Sequence, residues 1–138
     1  MIERIRLTNW RSHEKTELSF GKGTNIIIGI MGAGKSSVLE ALCFGLFGTF
    51  PALQQKRLKL VDIITNRPVE KEVASVELTF DVDGQVHTVV RTIARKKRAG
   101  GAELRQGKRL LETGSQRVTE YIEKLLKIDY DLFTRAIF

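Results

Sequence analysis

Residues 29 to 36 are Gly-Ile-Met-Gly-Ala-Gly-Lys-Ser. This stretch matches the pattern G-x-x-x-x-G-K-[ST] at every fixed position. The apolar run Thr24 to Ile28 precedes it and predicts a short buried strand. A helix is predicted from about Lys35 to Phe47, with Gly48 placed to end it. Strand, glycine-rich loop and helix in this order predict a P-loop, which cradles nucleotide phosphates.

The residue types of this loop suit a triphosphate. Glycines let main-chain N–H groups approach phosphate oxygens closely, and the N-terminus of the following helix attracts an anion. Lys35 is expected to reach the β- and γ-phosphates and is the catalytic candidate, while Ser36 is expected to bind the metal. We therefore expect ATP with Mg²⁺. The predicted nucleotide-binding residues of the loop are Gly29, Met31, Gly32, Ala33, Gly34, Lys35, Ser36 and Ser37.

The composition predicts one globular domain with a basic surface. Hydrophobic residues make up 42% and charged residues 28%, and 138 residues suffice to bury a core. Lys and Arg number 23 against 16 acids, a net charge of +7 that favours a polyanionic partner. No apolar stretch is long enough to span a bilayer, and the start, MIERIRLTNW, lacks the apolar core of a signal peptide. We expect no membrane association and a place in the cytoplasm or nucleoid, or in a nucleus.

The single cysteine and the two histidines predict no redox or metal chemistry. Cys43 allows no internal disulfide, and its apolar helical surroundings predict a small buried side chain. His13 and His87 are isolated in the sequence, and we predict no metal-ligand cluster.

The rest of the chain predicts antiparallel strands with a few helices. The clearest hairpin runs from Val73 to Val82 and from Val86 to Ala94 around Asp83-Gly84. We predict an α/β fold, a mixed sheet around the P-loop helix with an antiparallel hairpin layer at one side. The other predictions are strands at Ile2–Asn9 and Thr16–Phe20, an irregular connector at Pro51–Lys59, a helical turn at Leu60–Ile64, and a helix at Ser115–Lys127 capped by Ser115.

A basic run follows the hairpin. Arg95, Lys96, Lys97 and Arg98 lie in a loop that ends in Gly-Gly. Such a run can neutralise DNA phosphates, and because no aromatic residue is interleaved with it, we expect contact without sequence preference. The alternative is a solvated basic surface.

Five further segments are informative, in order LTNWRSHEKTELSF, GKGTNIIIG, SSVLEALCFGLFG, VASVELTFDVDGQVHTVVRTI and KLLKIDYDLFTRAIF. Together they resemble the N-terminal half of the head domain in SMC-like ATPases (structural maintenance of chromosomes) and the related ABC-type ATPases. Within this family, NWRSH and FTRAIF resemble most closely the SbcC-type DNA double-strand-break repair ATPase, the partner of an SbcD-type nuclease.

This resemblance implies further site residues. Arg11 and Ser12 of NWRSH would lie beside the phosphates, although an ordinary polar turn is the alternative. Leu60 to Thr65 would touch the adenine, mostly through the backbone. Met31 stands where the family usually has an asparagine that helps hold the phosphate end. We interpret Glu40 as a surface residue of the helix.

The resemblance also implies that residues 1–138 are one lobe of a head in a longer coiled-coil protein. The chain ends on apolar Ala136-Ile137-Phe138, which agrees with a fragment. The C-terminal half of the head, with its signature motif and Walker B carboxylates, and a second head in an ATP-dependent homodimer would complete an ATPase. The expected function is double-strand-break repair with a nuclease. One alternative is a chromosome-organising or gap-repair clamp without a nuclease. A second is a small-molecule kinase, which the antiparallel hairpins after the loop disfavour.

Overall fold

The computed structural model describes residues 2–20, 33–66, 70–95 and 101–137, leaving aside the side chains of residues 33–36, 136 and 137. These ranges contain six strands, four α-helices and one 3-10 helix. In chain order they are β1 (Ile2–Trp10), β2 (His13–Ser19), α1 (Ala33–Phe47), α2 (Pro51–Gln54), the 3-10 helix (Leu60–Ile63), β3 (Val73–Val82), β4 (Gln85–Ala94), β5 (Gly101–Gln106), β6 (Arg109–Thr113), α3 (Ser115–Leu126) and α4 (Tyr130–Ile137).

The six strands form one sheet in the order β2-β1-β3-β4-β5-β6. Every neighbouring pair is antiparallel, and Leu7 of β1 pairs with Thr16 on one side and with Val76 on the other. The hairpin of β3 and β4 is therefore continuous with β1 and β2 in one antiparallel sheet. The predicted strand Thr24–Ile28, on which a mixed sheet depends, lies outside the described residues. The predicted α/β class is confirmed, since helix α1 packs against this sheet.

Helix α1 lies against the inner face of the sheet. A Cβ added at Gly45 would lie 3.3 Å from Val76 Cγ1, so the helix and β3 are in close contact. Cys43 is buried in this helix as predicted, and burial raises the pKa of its thiol to about 12. The main buried apolar residues shared by helix and sheet are Ile5, Leu7, Val38, Leu42, Leu46, Val76, Leu78, Phe80, Val89 and Leu104.

The predicted hairpin is confirmed, with Val82 paired to Gln85 across Asp83-Gly84. Both turn residues have positive φ, 52° and 82°, as a two-residue turn that matches the strand twist requires. The helical turn at Leu60–Ile63 is also confirmed. The connector from Pro51 is wrong in part, because it opens with the short helix α2. Proline at the first helical position presets φ and loses no hydrogen bond there. No helix within the described ranges is long and apolar enough to cross a membrane.

Arg91 on β4 is buried, with 1% of its surface exposed, and it joins two helices to the sheet. Its guanidinium donates to the main-chain oxygens of Gly45 (2.8 Å) and Leu46 (3.1 Å) at the end of α1. It also donates to the oxygen (3.3 Å) and Oγ (3.1 Å) of Ser115 and to Oγ1 of Thr119 (2.8 Å) on α3. A cation is favoured beside a helix C-terminus, and the last turn of α1 contains no basic residue of its own. Burial lowers the pKa of Arg91 to about 10, so it stays charged at neutral pH.

The role of Arg91 explains why Ser115 is not a helix cap. The N-cap position belongs to Gly114, helix α3 begins at Ser115, and the Ser115 hydroxyl accepts from Arg91. The predicted cap is therefore wrong. Thr119 adds a second link between α3 and α1, since its Oγ1 donates to the Phe47 oxygen at 3.0 Å. Phe47 directly precedes Gly48, which ends α1 with a φ of +75°.

Arg91→Met should lower the free energy of unfolding by about 3 kcal/mol or more, because two buried and three partly buried acceptors lose a charged donor at once. Urea unfolding followed by the fluorescence of Trp10, the only tryptophan, measures this change. Arg109→Met is the matched control, since Arg109 is exposed on β6. Equal stability of the two variants would show that the Arg91 contacts contribute nothing.

Candidate nucleotide-binding site

Helix α1 begins at Ala33, so Gly34, Lys35 and Ser36 occupy its first turn. The first N–H groups of an α-helix have no acceptor within the helix and point toward an anion placed at its end. This turn contains no acidic residue that would repel a phosphate. The start of α1 therefore fits a triphosphate. The positions of Gly29, Met31 and Gly32, and the side chains of Ala33, Lys35 and Ser36, lie outside what the structure describes.

Trp10 connects the end of β1 to the same part of α1. Its Nε1 donates to the Ser37 oxygen at 3.1 Å, and its ring lies 5.4 Å from Phe44 and 6.0 Å from Phe50, measured between centroids. Ser37 is itself 6% exposed. At 1.5 Å per residue, Ser37 lies about 6 Å along the helix axis from Ala33. The turn after β1 is thereby held beside the opening of α1.

The backbone of this turn is unusual. Asn9 and Arg11 have φ values of 53° and 51°, the left-handed region that non-glycine residues rarely adopt. Such conformations persist where surrounding contacts hold them, and they cluster at functional sites. Asn9 Nδ2 donates to the Val73 oxygen at 2.9 Å and thus ties the turn to β3.

The segment Leu60–Thr65 supplies most of the contacts that hold the turn. The Ile63 oxygen accepts from the Arg11 N–H at 2.7 Å, and the Thr65 N–H donates to the Asn9 oxygen at 2.9 Å. The Thr65 hydroxyl donates to the Arg11 oxygen at 2.6 Å, and Thr65 is 3% exposed. The segment expected to touch the adenine therefore packs directly against the residue expected beside the phosphates.

The side chain of Arg11 pairs with Glu40 on α1. Nη2 donates to Glu40 Oε2 at 3.1 Å, and Nε lies 2.8 Å from Oε1 at an angle that gives an ion-pair contact rather than a straight hydrogen bond. Glu40 retains only 16% of its side-chain exposure. The interpretation of Glu40 as a surface residue is wrong. Glu40 is an acidic residue in an otherwise apolar helical stretch, and this pattern could have indicated a partly buried side chain paired with a basic residue.

The other residues of the turn make fewer contacts. Ser12 is exposed. His13 Nδ1 lies 2.9 Å from Thr16 Oγ1, and burial lowers the pKa of His13, which favours the neutral ring at neutral pH. Within the described residues, no three His, Cys, Asp or Glu side chains form a group that could hold a metal ion.

The basic run predicted to touch DNA is described only in part. Arg95 Nε donates to the Lys71 oxygen at 2.6 Å and lies 3.2 Å from Glu70 Oε1, so this side chain holds the segment before β3. Lys96, Lys97 and Arg98 lie outside the described residues. On the next hairpin, Lys108 and Arg109 are exposed.

Residues 4–138 match a family model described as an AAA domain, AAA_23. The match includes both the glycine-rich stretch and the turn at Asn9–Arg11. The chain therefore belongs to the AAA domain family AAA_23.

Curated relatives give a more specific likeness. A DNA double-strand break repair Rad50 ATPase of Thermoplasma volcanium is 35% identical over 141 residues, which cover 100% of this chain and 15% of the relative. Proteins with the same name from Archaeoglobus fulgidus and Methanocaldococcus jannaschii are 32% and 31% identical over 138 residues, covering 100% of this chain and 14% and 13% of their own lengths. The chain thus spans about a seventh of the curated relatives it matches.

Three solved structures support the fold alone, since each is less than 25% identical to this chain. One, from work on ATP-driven dimerization and DNA-stimulated activation of SMC ATPases, has a TM-score of 0.70 at 22% identity and covers 96% of this chain and 82% of that one. The recombination mediator RecF has a TM-score of 0.62 at 20% identity over 86% of this chain and 29% of its own. The SMC head domain from Thermotoga maritima has a TM-score of 0.54 at 16% identity, and the match covers 89% of this chain and 41% of that one.

Proposed function

We propose that this chain is the ATP-binding N-terminal half of an ATPase head that acts in DNA double-strand-break repair. One combined observation carries the proposal. The Rad50 relatives match all of the chain, and its P-loop sequence leads into helix α1, whose first turn is free of acids. The fold of SMC heads agrees with this assignment.

In the proposed site, each loop residue has a part in holding the nucleotide. Main-chain N–H groups from Gly32 to Ser36 surround the phosphates, and Lys35 neutralises the β- and γ-phosphates. The Ser36 hydroxyl is the magnesium ligand, and Ser37 and Ser12 lie near the remaining phosphate oxygens. Magnesium, when bound there, would offset part of the negative charge of the phosphates. Arg11 adds a second cation beside this group.

We propose that hydrolysis requires more than this lobe. Phosphoryl transfer also needs a carboxylate for the metal and a group that orients the attacking water. The C-terminal half of the head and a second head, in an ATP-dependent dimer, would supply both. A nuclease of the SbcD type is the proposed partner, duplex DNA the proposed substrate, and the cytoplasm or nucleoid the proposed location.

The second candidate is a chromosome-organising or gap-repair ATPase without a nuclease. The likeness to SMC and RecF structures favours it, although those likenesses show the fold alone. Reconstituting the full-length protein with an SbcD-type nuclease separates the two functions. ATP-dependent stimulation of duplex-end cleavage supports the repair role, and its absence supports the clamp.

Lys35→Ala should abolish detectable ATP binding. A charge-assisted hydrogen bond to phosphate contributes roughly 1.5–3 kcal/mol, and the lost Coulomb attraction adds to this. Isothermal titration with Mg-ATP measures the change, with Lys15→Ala, an exposed position on β2, as the matched control. Binding by Lys35→Ala as tight as by the control would contradict the proposed site.

Ser36→Ala should weaken binding of Mg-ATP more than binding of ATP in EDTA, because only the metal loses a ligand. The same titrations, with and without Mg²⁺, give the ratio of the two dissociation constants. Equal losses in both conditions would remove Ser36 from the metal site.

The basic loop generates a separate prediction about DNA. Since Arg95 is engaged with Glu70 and Lys71, the informative variant is Lys96→Ala/Lys97→Ala/Arg98→Ala. Three lost phosphate contacts should flatten the slope of log affinity against log salt by about 2.7, at about 0.9 per contact. Affinity should fall alike for every duplex sequence, since these side chains are not expected to read bases.

The matched control removes the same charge elsewhere, with Lys15→Gln/Lys124→Gln/Lys127→Gln, all exposed positions. Duplex affinity at several salt concentrations is the measurement, with ATP binding checked in parallel. If both triple variants lower the slope equally, the loop has no special role, and net charge accounts for the binding.

A further inference from the structure

We propose that Glu40 and Thr65 are positioning residues that hold Arg11 for the triphosphate, an inference that rests on the function proposed above. Neither residue belongs to the glycine-rich loop. Glu40 fixes the guanidinium, and Thr65 fixes the main chain that carries it. Glu40 thus acts on the side chain of Arg11, and Thr65 acts on its backbone.

Glu40 holds one edge of the guanidinium and leaves another available. Its two oxygens contact Nε and Nη2 at 2.8 and 3.1 Å, so a single carboxylate spans that edge. An arginine carries five N–H donors, and Nη1 has no partner among the described residues. Pairing at one edge therefore orients the planar group while Nη1 stays available to an anion. The planar fork suits phosphate oxygens, which is why arginine serves in such sites.

Thr65 holds the backbone of Arg11 in its left-handed conformation. The φ of 51° at Arg11 is unfavourable for a residue with a side chain, so other contacts must maintain it. The hydroxyl of Thr65 bonds the Arg11 oxygen at 2.6 Å, and Ile63 bonds the Arg11 N–H at 2.7 Å. Because Thr65 is buried, its hydroxyl cannot be replaced by solvent at that oxygen.

The location of the assembly favours a phosphate-facing role. Trp10, directly before Arg11, is bound to Ser37 within the first half of α1. Two left-handed residues, a bidentate ion pair and a buried hydroxyl converge on this one turn. By contrast, Arg6 and Glu17 pair on the exposed face of the same hairpin with both side chains about half exposed, where an ion pair contributes little.

A double-mutant cycle on the full chain tests Glu40. Glu40→Gln should weaken Mg-ATP binding about fivefold and Arg11→Met about tenfold, the size expected for losing one oriented charged hydrogen bond. In the Arg11→Met background, Glu40→Gln should have no further effect, because Glu40 acts only through Arg11. Isothermal titration gives the four dissociation constants, and urea unfolding of each variant confirms that it is folded at the working temperature.

Matched variants separate the loss of each contact from a general loss of stability. Glu17→Gln removes the exposed pair on the same hairpin and should leave ATP affinity unchanged. Thr65→Val should weaken ATP binding about threefold, and Thr65→Ser, which keeps the hydroxyl, should restore it. Thr79→Val is the control for burial, because Thr79 is 7% exposed and its Oγ1 has no hydrogen-bond partner among the described residues.

Three results would overturn the inference. The first is wild-type affinity for Mg-ATP in Glu40→Gln. The second is an equal loss of affinity from Glu40→Gln in the wild-type and Arg11→Met backgrounds. The third is equal affinity for Mg-ATP in Thr65→Val and Thr65→Ser. Failure of the wild-type chain to bind Mg-ATP is distinguishable from these, since it would remove the proposed function together with the inference.

Discussion

The buried guanidinium of Arg91 is the contact on which the arrangement of the helices depends. A charge with 1% exposure is costly unless its donors are satisfied, and here they reach the end of α1 and the start of α3. The carbonyls at a helix end also need donors. One side chain on β4 meets both needs, so the sheet and two helices are fixed to one another at this point.

The opposite end of α1 is fixed by different chemistry. There the indole of Trp10 bonds the Ser37 oxygen, and the left-handed turn at Asn9–Arg11 is held by Thr65 and Glu40. A helix fixed at both ends presents the loop before it on a rigid support. Rigid elements hold binding groups in place better than free loops do, so the packing of α1 serves the nucleotide site proposed at its first turn.

Local features of the sequence predicted the local structure well. The Asp83-Gly84 hairpin, the helix ending at Gly48 and the turn at Leu60–Ile63 follow from short-range patterns. Long-range contacts could not be predicted in this way. Arg91 belongs to a basic stretch of the sequence, and its burial depends on acceptors 45 or more residues earlier and 24 or more residues later. The partners of Glu40 and Ser115 likewise lie 29 and 24 residues away in the sequence, so short-range patterns indicate a surface residue at Glu40 and a helix cap at Ser115.

Amide hydrogen exchange of this chain with and without Mg-ATP is the most direct test of triphosphate binding at the first turn of α1. We expect slower exchange at residues 29–37 and at the Asn9–Arg11 turn, because phosphate would occupy the N–H groups of the loop and contact Arg11. The turn at Gly107-Lys108, between β5 and β6, should exchange at the same rate in both conditions. Unchanged exchange at residues 29–37 under saturating Mg-ATP, or protection confined to the β5–β6 hairpin, would show that the triphosphate does not bind at this turn.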